Sequence, residues 1–486
     1  MSGEFYLVVV CGSRSQATYW EECLKPSQSP YSSGKTHLGV VVERWRDERG
    51  AGNALGTFNA FLEAADLFRL REGVDLVQKI REGARCAIYH TAGRGTRLYP
   101  LTASEGGDKS RILMPYLAGH ASGRSMTLLE SVIYQTRSLC KNACVGVFWG
   151  DQLFIPPTPM LDNSPVHICL CEQPIPSSET WRNEGLSNYG ILTPGEGGKL
   201  KMLDKLSIER FESLRNSGVL RGSLGLNLGS FIFSIDLLMS FLDLFHAELT
   251  SLIGHLNSDP DLWMPLTLER ELYCSLKPKS DLNHYCRMQK WKESWEQMRG
   301  EAFRIAPIAI ENRSMWWDFG TVKLFHENAL RSLKETQEAN LLRKLFHLNA
   351  RRVNNAPGKS VEVDQESLIV GSRVQSGRIK RSILIGVDAE SIDVEDAVVI
   401  ETKCRRLVVP RGLVYRVFDE NAVVLERDGV RAGCTIRGER STAMSALDAD
   451  SKAIWNEKLP GSDHSFAELE RAVREEFTDQ PAPALL

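Results

Sequence analysis

Long apolar runs are missing from this chain: no stretch of its 486 residues approaches the roughly 18 apolar positions that a membrane-spanning helix needs. No membrane partner is expected. A basic leader is missing as well. The opening "MSGEFYLVVVCGSRS" has a short apolar run from Phe5 to Cys11 preceded by Glu4, which reads as a strand rather than a secretory signal, and a cytoplasmic protein is expected. An excess of charge is absent too, with 59 Lys and Arg against 62 Asp and Glu and a net charge of -3. So balanced a chain carries no electrostatic footprint for nucleic acid. The 11 cysteines show no metal spacing: the closest pairs, Cys140 with Cys144 and Cys169 with Cys171, are not zinc ribbons. Those in apolar runs, such as Cys169 in "HICLC", read as buried reduced thiols. At 42% hydrophobic and 25% charged, the composition excludes disordered and fibrous classes.

What is present is the length for two or three domains. The first third alternates β-branched runs ("FYLVVV", "LGVVVE", "CAIY", "CVGVFWGD", "VHICLCEQP") with helical patterns, as over Thr57 to Leu70 and in "SMTLLESVIYQTRSL". Such alternation predicts an α/β fold with a doubly wound, Rossmann-like sheet, whose ligands bind outside the carboxyl ends of the strands. Residues 241–300 carry long helical patterns with Trp263, Trp291 and Trp295, and read as a helical insertion in a first domain of residues 1–335. A helical segment and the Pro/Gly break "NNAPGK" form a connector at 336–356. Residues 357–439 repeat. "SLIVG" at Ser367, "SILIG" at Ser382, "AVVIE" at Ala397 and "GLVYR" at Gly412 are spaced by 15, and Ile379, Val394, Val409 and Val424 keep the same step. Two apolar columns at one step predict stacked β coils, with an antiparallel sandwich as the alternative. Residues 440–486 read as a helical C-terminal tail.

Two phosphate-binding fingerprints fail. "AGRGTRL" lacks the third glycine of a dinucleotide loop, and "SGKT" at Ser33 to Thr36 has Ser29 where a Walker A loop needs glycine. The stretch "YHTAGRGTRLYP" still combines glycines, which allow close backbone approach, with amides and a guanidinium suited to an anion.

From Thr91 onward, "TAGRGTRLYPLTASEGGDKSRILMP" resembles the signature of the sugar-1-phosphate nucleotidyltransferases, matching at Gly93, Gly95, Thr96, Arg97, Leu98, Pro100, Leu101 and Thr102, with Lys109 as the family lysine. It departs at Thr91, at Ala92 and in the extra "EGG". Further resemblances come in the family's order. "FWGD" implies Asp151 as a magnesium ligand, and "EQP" implies Gln173 facing the nucleobase. "LKMLDKL" implies Asp204 and Lys205 at the sugar phosphate, "LNLGSFIFS" implies Asn227 and Gly229 at the sugar, and "WWDFGT" implies Asp318 as a second magnesium ligand. The glycine-rich "VVVERWRDERGAGNALGTFNAF" and "IYH" are similar to the fucose-1-phosphate guanylyltransferase branch.

The resemblance implies Mg2+-dependent transfer from a nucleoside triphosphate to a sugar 1-phosphate. Arg97, Lys109 and Lys205 would be catalytic, and Ala92, Gly93, Gly95, Thr96 and Gln173 would bind nucleotide. It further implies that the repeats form a parallel, left-handed β-helix, through which the protein would form a homo-oligomer. Blander roles stand beside these: a strand-end turn for Asp151, a solvated surface lysine at Lys205, a strand-edge role for Asn227. Asp318, between Trp317 and Phe319, needs a partner to offset its desolvation. A different class of function, a non-catalytic regulatory or assembly subunit on the same fold, is the alternative.

Overall fold

The computed structural model describes residues 3–25, 35–47, 49–91, 93, 95–117, 125–150, 152–155, 162–195, 199–277, 282–310, 315–346, 348, 352–353, 358–436, 438–459 and 464–479. Ala92 and Asp151 lie outside them.

The apolar run "FYLVVVC" forms β1 (Phe5–Cys11), buried at every position, as a strand covered on both faces must be. It pairs in parallel with β2 (Thr36–Val42) on one side and β3 (Arg85–His90) on the other. The chain thus turns from one direction of sheet growth to the other between β1 and β3. That switch point opens a crevice at the carboxyl ends of the strands. A small antiparallel pair, β4 (Leu113–Leu117) and β5 (Ser125–Thr127), comes next, and then β6 (Cys144–Trp149) joins β3 in parallel.

Beyond β7 (Gln152–Phe154), the sheet is extended by β8 (Val166–Pro174), β9 (Ile191–Pro194), β10 (Leu200–Leu203), β11 (Ser223–Ser234) and β12 (Ile305–Ile310). The order is β10, β9, β11, β6, β3, β1, β2, with β8 beside β11 and β12 beside β8. The short β13 (Trp316–Asp318) pairs with β7.

Helices adhere closely to their sequence patterns. The pattern read from Thr57 belongs to the helix Gly52–Glu72, which Gly73 ends in the left-handed conformation. In "SMTLLESVIYQTRSL" the first three residues are β5 rather than helix. Thr127 caps the helix Leu128–Thr136 in a reciprocal capping box with Glu130. The insertion is helical, with Trp263 and Trp295 buried in the main core. No helix among the described residues is long and apolar enough to cross a membrane. Among the described residues no cysteine is in a disulfide, and most of the thiols are buried.

The repeats pair in parallel, not as an antiparallel sandwich. Leu368, Ile383, Val398 and Leu413 are register partners at the fifteen-residue step read from the sequence. Each of these strands is apolar at successive positions for a physical reason. Ile369, Leu384, Val399 and Val414 point into the stack's own core, whereas Leu368, Ile383, Val398 and Leu413 join the main core that also holds the nine-stranded sheet. Alternation disappears because both faces are buried.

The second column departs from expectation at its end. Ile379, Val394 and Val409 are buried partners, but the next strand pairs Val408 with Val424, so Val423 takes the inward place at 0% exposure and Val424 is 56% exposed. A step lengthened by one residue exchanges the faces. Residues 440–446, placed by sequence in a helical tail, instead belong to an antiparallel strand, Glu439–Ala446, that closes the stack. The tail helix itself is Phe466–Asp479.

This register has a direct consequence. Val423→Ala is expected to cost about 1.5–3 kcal/mol and Val424→Ala less than about 0.5 kcal/mol, read from denaturant midpoints. Equal effects at the two positions would contradict the register.

Candidate active site

Val10, His90 and Trp149 lie side by side at the strand ends through the β1, β3 and β6 registers. Immediately after β3 the backbone enters the glycine loop, with φ of 127° at Gly93 and 59° at Gly95. Gly95 has a second reason to be glycine. A Cβ there would fall 2.8 Å from the Cβ of Lys109, so Lys109 packs directly against the loop. Thr96 begins a short 3-10 turn, and Arg97 is exposed. Asp108 caps the turn that carries Lys109 by accepting from the Ser110 amide at 2.8 Å.

The segment between Gly95 and Leu113 is held from below by the C-terminal third. Glu105, 2% exposed, accepts from Tyr415 Oη at 2.6 Å and from Arg416 Nη1 at 2.9 Å. Burial pushes its carboxyl above the usual range, against the pull of Arg416 and Arg111. Tyr415 Oη also accepts from the Leu113 amide at 2.8 Å. The Ser104 hydroxyl donates to the Gly433 carbonyl, Arg474 lies against Gly107, and Tyr99 packs edge-on to Trp455 and Phe466. The inserted "EGG" is therefore the docking site of the C-terminal elements.

A chain of contacts runs from the loop to the residues assigned to the sugar. His90 bonds Thr57 Oγ1 at 2.8 Å and stacks on Trp149 at 4.4 Å, and Trp149 Nε1 donates to the Gly229 carbonyl at 2.7 Å. Burial lowers His90 to about 3, so its ring is neutral at physiological pH. The Gly229 amide donates to Asn227 Oδ1 at 2.8 Å where β11 bulges, and Asn227 Nδ2 donates to Asp259 Oδ2 at 2.7 Å. Asn227 thus has the strand-bulge role set beside its proposed sugar contact. Gly190 leaves room for the carboxylate, since a Cβ there would meet Asp259 Oδ2 at 2.6 Å.

Asp259 titrates with its neighbours. Burial and then the charge of Asp204 push it up to about 6, opposed by its hydrogen bonds to Asn227 and Ser258. Asp204 is raised by burial and lowered by Lys205 and Lys277. Lys205 is exposed with a positive φ of 33°, a strained backbone for a lysine.

Asp318 ends β13. Its Oδ2 accepts from Tyr189 Oη at 2.7 Å and its Oδ1 from the Gly320 amide at 2.7 Å, the partners that its desolvation requires. Its register partner on β7 is Gln152, the residue after Asp151 in the chain. Carboxylate oxygens suit magnesium. Among the described residues no three His, Cys, Asp or Glu cluster around a metal. Among the described residues, nothing hydrogen-bonds the buried amide nitrogen of Gln173 on β8.

Sequence reasoning missed Trp149, Tyr189 and Asp259. Trp149 directly precedes the GD pair and could have been found; "SDPDLW" around Asp259 holds only a turn signal. The glycine-rich element before the loop does not resemble a free phosphate cradle in its contacts. The Ala54 amide donates to the Leu256 carbonyl at 3.0 Å and the Asn53 amide to Asn257 Oδ1 at 3.2 Å, so this helix start is bound to the insertion.

No family model matches the chain, and no curated protein matches it. Among solved structures, mannose-1-phosphate geranyltransferase from Thermus thermophilus is similar at 14% identity over 98% of each chain, with a TM-score of 0.25. CMP:2-keto-3-deoxy-manno-octonic acid synthetase complexed with CTP is similar at 10% identity over 69% of this chain and 100% of that one, with a TM-score of 0.24. Mannose-6-phosphate isomerase from Helicobacter pylori is similar at 10% identity over 51% and 78%, with a TM-score of 0.20.

The Asp259 carboxyl supplies a test of the cluster. A folded-state value near 6 against 3.8 unperturbed means that the folded state holds this proton more tightly. Its contribution to stability is complete below about pH 4 and is lost as pH rises through 6. Asp259→Asn is expected to flatten the fall in unfolding free energy across that window by up to about 2–3 kcal/mol, measured by urea denaturation at stepped pH. An unchanged slope would remove Asp259 from the titrating pair.

Proposed function

We propose that the chain is a sugar-1-phosphate nucleotidyltransferase, converting a nucleoside triphosphate and a sugar 1-phosphate to a nucleoside diphosphate sugar and pyrophosphate. One observation carries the reading. The glycine loop over Lys109 and the Asp204–Lys205 corner, assigned to two different substrates by resemblance, are joined through His90, Trp149, Gly229, Asn227 and Asp259.

A phosphate oxygen of the sugar 1-phosphate attacks the α-phosphorus in line. The bond to the β-phosphate oxygen breaks, and pyrophosphate leaves with the electron pair. The attacking oxygen is already ionised, so no general base is needed. Two anions must be brought together, and the rate depends on positioning and charge neutralisation. In this reading the loop amides at Gly93 and Gly95, with Thr96, cradle the triphosphate while Arg97 and Lys109 neutralise it. Lys205 binds the sugar phosphate, Gln173 meets the base, and Asp204, Asn227 and Gly229 orient the sugar. Asp151 and Asp318 would hold a magnesium ion, which supplies further charge neutralisation between the two phosphates. The C-terminal stack is assigned as the left-handed β-helix that the resemblance implies.

The test is pyrophosphate release with magnesium across a grid of nucleoside triphosphates and sugar 1-phosphates. Release requiring one of each is expected. Silence across the grid with nucleotide still bound would move the assignment to a regulatory subunit. Arg97→Ala is expected to lower kcat/KM by about 100-fold at an unchanged Tm, because the side chain is exposed. Asp318→Asn is expected to abolish magnesium-dependent turnover. Full activity in either variant would remove that residue from the mechanism.

A further inference from the structure

Beside Asp204 and Lys205 opens a cleft of about 980 Å³, within the range of small-molecule sites. Its far wall belongs to the helical insertion, from which Asp261, Lys277 and His284 line it. We propose that this cleft seats the sugar 1-phosphate and that Asp261, Lys277 and His284 read its hydroxyl groups. The proposal rests on the nucleotidyltransferase reading and adds to it the residues that select the sugar.

The hydrogen-bonding capacity of the three side chains fits a polyol. Lys277 Nζ donates to Asp261 Oδ1 at 2.8 Å, which leaves two ammonium hydrogens for other acceptors. Asp261 Oδ2 accepts from the Asn257 amide at 2.8 Å, so each carboxylate oxygen keeps a further lone pair. His284 Nε2 lies 2.7 Å from the Asp261 carbonyl oxygen, which can only accept, and Nε2 therefore carries the proton. In the neutral imidazole its Nδ1 is then an acceptor, and in the charged ring a donor. Acceptors and donors held together by one residue are what adjacent hydroxyls require, since each hydroxyl both donates and accepts.

Charge and shape agree. Four cationic side chains, Arg49, Lys205, Lys277 and Arg287, line the cleft against the three carboxylates Asp204, Glu248 and Asp261. That balance suits an anionic ligand whose phosphate meets Lys205 at the end shared with the glycine-loop network. Among the described residues the lining holds no Trp or Phe, and its tyrosine, Tyr273, is 1% exposed and packed against Tyr285, so the wide aromatic faces that best stack a nucleobase are missing there. The opposite wall includes Leu55, two residues before the Thr57 that bonds His90 under the glycine loop. One helix therefore borders both half-sites.

The experiment measures binding and turnover in the full chain. Glucose, mannose and fucose 1-phosphates are titrated calorimetrically with a non-hydrolysable triphosphate present, and KM values are taken for both substrates. In Lys277→Met and His284→Ala, the Kd and KM for the sugar 1-phosphate are expected to rise tenfold or more, while the KM for the triphosphate stays within twofold. Lys277→Arg should restore part of the loss, and Lys290→Met, on the exposed face of the same helix as His284, should change neither value. Folding of each variant is checked by its Tm. Unchanged sugar phosphate affinity in folded variants, a rise confined to the triphosphate, or a wild type that binds none of the sugar phosphates would each overturn the proposal. Sugar phosphate binding that the variants weaken, in a chain that releases no pyrophosphate, would sustain the cleft and sink the catalytic reading alone.

Discussion

A carboxylate at 2% exposure is stable only when donors surround it, and Glu105 finds them on the far side of the chain. Tyr415 and Arg416 reach it from the last third of the sequence, and the same tyrosine hydroxyl fixes the Leu113 amide. Lys109 sits between these two anchored points and against Gly95. The segment from Gly95 to Leu113 is therefore a short bridge clamped at its middle and its end. Removing either partner would leave a buried charge or an unpaired amide, whose cost exceeds the net gain from the bond itself.

Charge placement at the other half-site obeys a different rule. Asp204 and Asp259 are close enough that the charge of one raises the other, and Lys205 and Lys277 offset only part of this. Such a corner is poised rather than relaxed: an anionic ligand with its own hydrogen-bond donors would change the balance of every group in it. The insertion brings Asp261 and Lys277 into the same field. Its helices are therefore part of the site's electrostatics as well as its wall.

Much of this was legible in the sequence because it is local. The run Phe5 to Cys11, the glycine loop and the fifteen-residue step depend on neighbours along the chain, and each appears where its pattern placed it. The Val424 position was misjudged because one extra residue in a turn exchanges faces while leaving composition untouched. Residues 440–446 were misread because a closing strand with one polar face resembles an exposed segment. Asp259 and Tyr189 carry no motif, and their roles exist only through contacts with Asn227 and Asp318 that no spacing reveals. The "EGG" insertion looked like a departure from a pattern; it is the place where the C-terminal elements dock.

That docking also sets an order of assembly. The partners of Glu105 lie 310 and 311 residues further along the chain, and the helix that covers Tyr99 comes later still. During synthesis the sheet and its glycine loop emerge long before the groups that hold the loop in place, and domains generally fold as they emerge. The sheet must wait with its glycine-loop segment unsupported until residues 415 and 416 have been added. A chain interrupted between Leu113 and Tyr415 would thus possess every residue of the glycine loop and lack the means to hold it.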